Sequence, residues 1–227
     1  MNDKISDKDK KDWKNFLEKN DKLPNKDLDK KENKQNGQGT FTYGDGTIYV
    51  GTFENDIMTG QGKKTWGPDT KFAGDSYVGA FQNNKMNGQG TYTYRDNTTY
   101  VGAFIDDRMV GQGSKTWGPD TILAGDKYVG AFKNNMLNGQ GTYTYADGSI
   151  YVGNFDNNIK VGKGTLTWGS ETDLAGHKYT GDFEDNKQSG QGTYTYADGS
   201  TYVGGFQNNM KMGHGVKAWP DGNQYTG

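Results

Sequence analysis

The sequence predicts an all-β fold, a linear array of about eight tandem β-hairpins behind a short amino-terminal helix. Three observations carry that prediction. The triplet Gly-x-Gly recurs at Gly37, Gly60, Gly88, Gly111, Gly139, Gly162, Gly190 and Gly213, in alternating steps of 23 and 28 residues. After the triplets, side chains alternate with period two, as in Thr142-Tyr143-Thr144-Tyr145, the signature of a strand. Asp-Gly then follows, as at Asp45-Gly46, Asp147-Gly148 and Asp198-Gly199, and marks a tight turn because glycine accepts positive φ.

The alternating steps mean that two unequal units share a superperiod of 51 residues. That is why GQGTYTYADGS occurs at Gly139–Ser149 and again, unchanged, at Gly190–Ser200. A fixed period of this kind indicates a quasi-one-dimensional array. The array covers residues 37–227, with units 37–59, 60–87, 88–110, 111–138, 139–161, 162–189, 190–212 and a truncated 213–227. A charged arm, residues 1–36, precedes it.

Within a short unit the second strand reads Tyr-Val-Gly-x-Phe, and Asn-Asn, Asn-Asp or Asp-Asp turns the chain into the next hairpin (Asn83-Asn84, Asn55-Asp56, Asp106-Asp107). Asn97 replaces the turn glycine of the third unit, at a small local cost. The long units carry five extra residues in the hairpin loop, as in Gly67–Ser76 and Gly118–Lys127. These loops are expected to act as packing lids, with Phe72, Ile122-Leu123 and Leu174 folding back over the sheet.

Strand alternation sorts the side chains onto two faces. Counting from the first glycine, the glycine at three, the residue at five, the ring at seven, the tyrosine of the second strand and the phenylalanine after it share one face. Position seven is always Tyr or Trp, from Tyr43 to Trp219, and the phenylalanine row runs from Phe53 to Phe206, so both rows read as core. The threonine and Val-x-Ala positions share the other face, where solvated β-propensity accounts for the threonines. Two strands per unit at ~4.8 Å give a rod on the order of 75 Å, and about sixteen strands must coil.

The pattern Gly-x-Gly-x-x-x-Tyr-x-Asp-Gly-x-x-Tyr-x-Gly-x-Phe resembles the membrane occupation and recognition nexus (MORN) repeat, over residues 37–227. The resemblance implies an elongated, twisted, single-layer sheet of antiparallel hairpins curved around a groove. The chain departs from the family pattern in two ways. Asn or Asp stands where the family has a turn glycine after the phenylalanine, and half the units are lengthened.

Composition narrows the function. Only 30% of residues are apolar, so burial must lean on the 15 tyrosines and the other rings. With no cysteine there is no disulfide framework, thiolate nucleophile or cysteine zinc site. The first residues lack an apolar signal region and no run of 18 apolar residues occurs, so the chain reads as cytoplasmic. Residues 1–36 hold eleven lysines against nine acids, leaving the array with a net charge of −4, a poor match for nucleic acid. The two histidines, His177 and His214, have no triad or metal partner nearby in sequence. No calcium loop or dinucleotide fingerprint appears. The chain reads as a non-enzyme with no metal or cofactor.

Position five breaks the aromatic uniformity: Phe41, Lys64, Tyr92, Lys115, Tyr143, Leu166, Tyr194 and Lys217. Lysine is almost never fully buried, so this row is expected to face solvent. Rings alternating with cations form a candidate groove for a protein segment or amphipathic helix, through stacking and cation–π contact. The alternative is that lysine stems cover the neighbouring rings. A second reading, a peripheral phospholipid binder at the inner face of a membrane, follows the family name, and the net −4 of the array disfavours it. The open ends of a sheet also offer a route to homo-oligomers.

In the arm, Ser6 or Asp7 can cap a helix on which Trp13, Phe16 and Leu17 share one stripe, and Pro24 stops it. This helix is expected to dock on the amino-terminal end of the sheet. Residues 5–27 resemble the segment preceding small MutS-related (Smr) domains. The Asp-Leu-His-Gly motif of that nuclease is missing, and no nuclease activity is inferred.

Overall fold

Each Gly-x-Gly triplet lies within a β-strand, and the two glycines are needed for different reasons. A computed structural model describes residues 34–227, which divide into two compact units, the first ending at Arg95 and the second spanning Asp96–Gly227. Among the described residues there are sixteen strands and no helix. The predicted arm helix, the Smr-like segment, Trp13, Phe16 and Leu17 lie outside the described residues.

The first unit contains β1 (Gly37–Thr42), β2 (Ile48–Glu54), β3 (Ile57–Thr65), β4 (Ser76–Gln82) and β5 (Lys85–Thr93), each antiparallel to the next. The second continues with β6 (Thr99–Ile105), β7 (Arg108–Thr116), β8 (Lys127–Lys133), β9 (Met136–Thr144), β10 (Ile150–Asp156) and β11 (Ile159–Thr167). It ends with β12 (Lys178–Glu184), β13 (Lys187–Thr195), β14 (Thr201–Gln207), β15 (Met210–Ala218) and β16 (Gln224–Thr226), again antiparallel in sequence order. Each unit is thus a single-layer antiparallel sheet of tandem hairpins, as predicted.

The first glycine of the triplet supplies a backbone conformation. Between β6 and β7 the pairing jumps from Gly102↔Gly113 to Ala103↔Val110, passing over Gly111 and Gln112, and Gly111 has φ +64°. Such a bulge adds local twist and suits glycine at the left-handed position. The second glycine supplies space. Tyr100 lies flat across Gly102 and Gly113, so a Cβ at Gly113 would sit 2.6 Å from its Cε2 and 2.7 Å from its hydroxyl. The hydroxyl reaches over the glycines to donate to the carbonyl of Ala103 at 3.1 Å.

These tyrosines are the core. Tyr49 and Tyr77 in the first unit, and Tyr100, Tyr128, Tyr151 and Tyr179 in the second, are fully buried. Each meets the phenylalanine of its own strand edge-to-face, and within a unit also that of the next hairpin, as Tyr151 does with Phe155 (5.2 Å) and Phe183 (4.9 Å). Edge-to-face pairs add about 0.5–1.5 kcal/mol each beyond the area they bury. Each hairpin completes its core only through its neighbour, as a repeat array requires.

The Asn-Asn turns explain one departure from the family pattern. Asn134 and Asn135 have φ 50° and 70°, the left-handed pair of a tight hairpin turn. Glycine would fit there too, but the Asn135 carboxamide also accepts the Met109 amide at 2.8 Å. Asn158, Asn186 and Asn209 do the same for Leu137, Lys160 and Gln188. The side chain therefore ties each turn to the preceding hairpin. Asn97 takes φ 62° in place of the usual turn glycine.

The long loops behave differently from expectation. Ile122 is 101% exposed, and Phe72, Leu123 and Leu174 also remain substantially exposed. Phe72 meets Trp66 edge-to-face at 6.0 Å, but none of these side chains becomes buried against the sheet. The covering residues are polar: Asp75 and Asp126 are buried. The loop turns through successive bonds from Thr121 to Gly118, Ala124 to Thr121 and Asp126 to Leu123, which leaves the tip outside and returns the aspartate to the sheet.

Candidate binding surface

Position five does not form an open strip. Phe41, Tyr92 and Tyr143 are only 3%, 7% and 8% exposed, which corrects the solvent-facing expectation for this row. Tyr92 and Tyr143 belong to the core because the long loop preceding each one reaches it. Tyr92 donates to Asp75 Oδ2 and Tyr143 to Asp126 Oδ2, both at 2.6 Å, while the other carboxylate oxygen accepts the amide of Arg95 or Ala146. Trp117 and Tyr145 flank Tyr143 at 5.3 and 4.6 Å. Burial, then the Asp126 bond, pushes the Tyr143 phenol well above the usual range.

The lysines of the row lie over rings. The ammoniums of Lys64, Lys115 and Lys217 sit 5.0, 5.1 and 4.9 Å from the centroids of Trp66, Trp117 and Trp219. Burial lowers the Lys115 pKa, with Asp96 acting in the opposite sense. Tyr194 is half-buried, and its partner is His177 Nδ1 at 2.7 Å, where the earlier loops have aspartate. The sequence brought these residues to one row, and the structure shows that the row is mostly wall.

The more open surface lies on the opposite face of the second unit. A groove of about 490 Å³ runs across β10–β14, with paired glycines Gly153, Gly164, Gly181 and Gly192 among its lining. Val152 and Val203 line it and are 48% and 51% exposed. Gln140, Lys163 and Gln191 stand beside it, Lys163 paired with Asp182 at 2.8 Å and Gln140 donating to Asn154 Oδ1 at 2.6 Å. Solvated threonines alone do not account for this surface. The signal available in sequence was the valine row Val101, Val129, Val152 and Val203 on the same face as the threonines.

The MORN repeat profile matches eight segments of the sequence: residues 29–48, 49–70, 77–99, 100–121, 128–150, 151–172, 179–201 and 202–224. The chain belongs to the MORN repeat family. From the second segment on, the MORN segments begin at the second-strand tyrosines, at Tyr49, Tyr77, Tyr100 and their successors, half a hairpin away from the triplets. No curated protein matches the sequence. Among solved structures the chain is similar to the TCP10c domain of Drosophila melanogaster Sas-4, at 12% identity over 83% of this chain and 97% of that one, with a TM-score of 0.38. It is also similar to the TCP domain of Drosophila melanogaster SAS-4 in complex with a proline-rich motif of Ana2. The identity there is 16% over 91% of this chain and 96% of that one, with a TM-score of 0.28.

Among the described residues no helix is long and apolar enough to cross a membrane, and no group of three or more His, Asp or Glu side chains gathers as a metal site would need.

Proposed function

We propose that this MORN protein is a non-enzymatic binding module, and that its second unit seats an extended protein segment in the groove beside Val152 and Val203. The observation that carries this reading is the pairing of half-exposed valines with glycine backbone in that groove. Glycine lets a second backbone approach closely, and the valines offer apolar contact to alternate side chains of an extended chain. The amides of Gln140 and Gln191 stand beside the groove, where a peptide presents N–H and C=O groups. Docking of a helix among the position-five rings loses its support, because those rings are largely covered. A lipid surface finds no matching feature here, since the one lysine in the groove lining is already paired with Asp182.

Panning a random peptide library against the full chain tests the reading. Selected peptides should share apolar residues at alternate positions. They should lose at least about tenfold in affinity for the V152E/V203E double variant, a loss typical of a disrupted apolar contact centre. Circular dichroism of that variant should be unchanged, because both side chains point away from the tyrosine core. Peptides that bind wild type and variant equally would sink the proposal.

A further inference from the structure

The last copy of a repeated side-chain constellation has reversed its charge. In the second unit, Tyr143 and Tyr145 are ringed by Asp126, Asp147 and Lys160, one cation against two acids. One superperiod later, Tyr194 and Tyr196 are ringed by His177, Asp198, Lys211 and Lys217, two cations against one acid, with an imidazole where the buried aspartate was. The backbone frame is the same in both places.

We infer that the Lys211–Lys217–His177 cluster is a binding site for a phosphoryl group carried on an aromatic ring. Both ammoniums converge on one phenol ring, lying 4.6 Å (Lys211) and 4.9 Å (Lys217) from the Tyr196 centroid. Lys211 also stands 5.0 and 5.1 Å from the Tyr194 and Tyr202 rings. Among the described residues neither ammonium has a carboxylate at ion-pair distance. Ring faces offset part of a cation's desolvation but leave its N–H donors available to an anion.

The donors point to an acceptor-only ligand. Lys211 donates to the Tyr196 oxygen, so the Tyr196 proton is directed elsewhere. His177 Nδ1 and the Tyr194 hydroxyl share a hydrogen bond at 2.7 Å, which leaves Nε2 as the remaining polar atom of the imidazole. Two ammoniums and a phenol match the oxygens of a phosphoryl group. Asp198 is the opposing charge, and its carboxylate is bonded to the amide and hydroxyl of Ser200 at 2.8 and 2.7 Å. The exposed edge of Trp219, whose ring lies 4.9 Å from Lys217, offers a stacking partner for the ligand's own ring.

The chain supplies its own conservative variants. Met58 occupies the position equivalent to Lys211 and packs its sulfur 3.7 Å from the Tyr43 hydroxyl, so Lys211→Met fits the frame. His177→Asp restores the residue present at Asp75 and Asp126. Calorimetric titration of the full chain with phenyl phosphate at low salt is expected to show one saturable site, with weaker binding of inorganic phosphate. K211M and H177D should each reduce phenyl phosphate affinity at least about tenfold, the loss of one charge-assisted contact, with melting temperature retained. K160M, in the neighbouring constellation, should leave it unchanged. Affinities equal across wild type, K211M and H177D, or an equal loss in K160M, would overturn the assignment. If either variant misfolds, the other decides.

Discussion

The Tyr143 hydroxyl donates a 2.6 Å hydrogen bond to Asp126, a loop residue seventeen positions earlier, and both groups are buried. The contact joins a long-unit loop to the first strand of the next hairpin. Removing the hydroxyl with Tyr143→Phe leaves a buried carboxylate oxygen without its donor, at a cost of about 1–3 kcal/mol. The double substitution Tyr92→Ala and Tyr143→Ala should lower the denaturation midpoint severely, since truncation of a buried ring costs about 3–5 kcal/mol. Urea unfolding checks both. An unchanged midpoint in the double variant would return position five to the surface.

The two glycines of a triplet should respond differently to a methyl group. At Gly164, the second glycine of its triplet, a Cβ would lie 2.6 Å from the Tyr151 hydroxyl and 2.7 Å from its Cε2, so Gly164→Ala must displace the core ring. A cost of about 3 kcal/mol, the upper range for overpacking, is expected. At Gly111 nothing lies within 4 Å, and only φ +64° opposes the change, so Gly111→Ala should cost about 1 kcal/mol. Thermal melts of the two variants, run side by side, test the ordering.

Alkaline titration should report the tyrosine ladder. Burial pushes the phenols of Tyr49, Tyr128, Tyr151 and Tyr179 up to about 12. The folded state therefore holds these protons more tightly than the unfolded chain. Their contribution to stability is intact below pH ~10, the ordinary phenol value, and is lost as pH rises towards 12. Phenolate absorbance from these residues should appear together with loss of the sheet signal in circular dichroism. Smooth titration near the ordinary value, with the sheet intact, would contradict the burial.

Lys160 carries the opposite linkage. Burial holds its ammonium below the usual lysine range, while Nζ donates to the Tyr145 hydroxyl at 2.7 Å. The unfolded chain binds that proton more tightly, so the residue costs stability at neutral pH, and the cost fades as pH rises to the ordinary lysine value. Lys160→Met, which restores the residue found at Met58 and Met109, should raise stability at pH 7 and gain less in alkaline solution. Paired urea titrations at the two pH values measure this. A gain that does not shrink with pH would show that the charge is not its source.

Much of this protein was legible in its sequence because its order is local. Gly-x-Gly spacing, period-two alternation and Asp-Gly turns act within a few residues, and they set the hairpins, their order and the face that each side chain joins. The phenylalanine row was readable as core for the same reason, but the position-seven row, also expected there, is only half-buried from Tyr43 to Tyr196 and exposed at Trp219, and the second-strand tyrosines take the core instead. Which face is open was not readable, since exposure depends on what a loop does after it leaves the sheet. Position five looked solvent-facing because lysine occupies it in three units, yet Asp75 and Asp126 return from their loops to close over Tyr92 and Tyr143, and the lysine ammoniums settle over tryptophan rings. The loop tips, apolar in sequence at Ile122, stay in solvent because successive tight turns carry the aspartate inward instead. The convergence of Lys211, Lys217 and His177 on one pair of tyrosines joins residues from three strand-and-loop positions, and only sheet register, a tertiary property, brings them together.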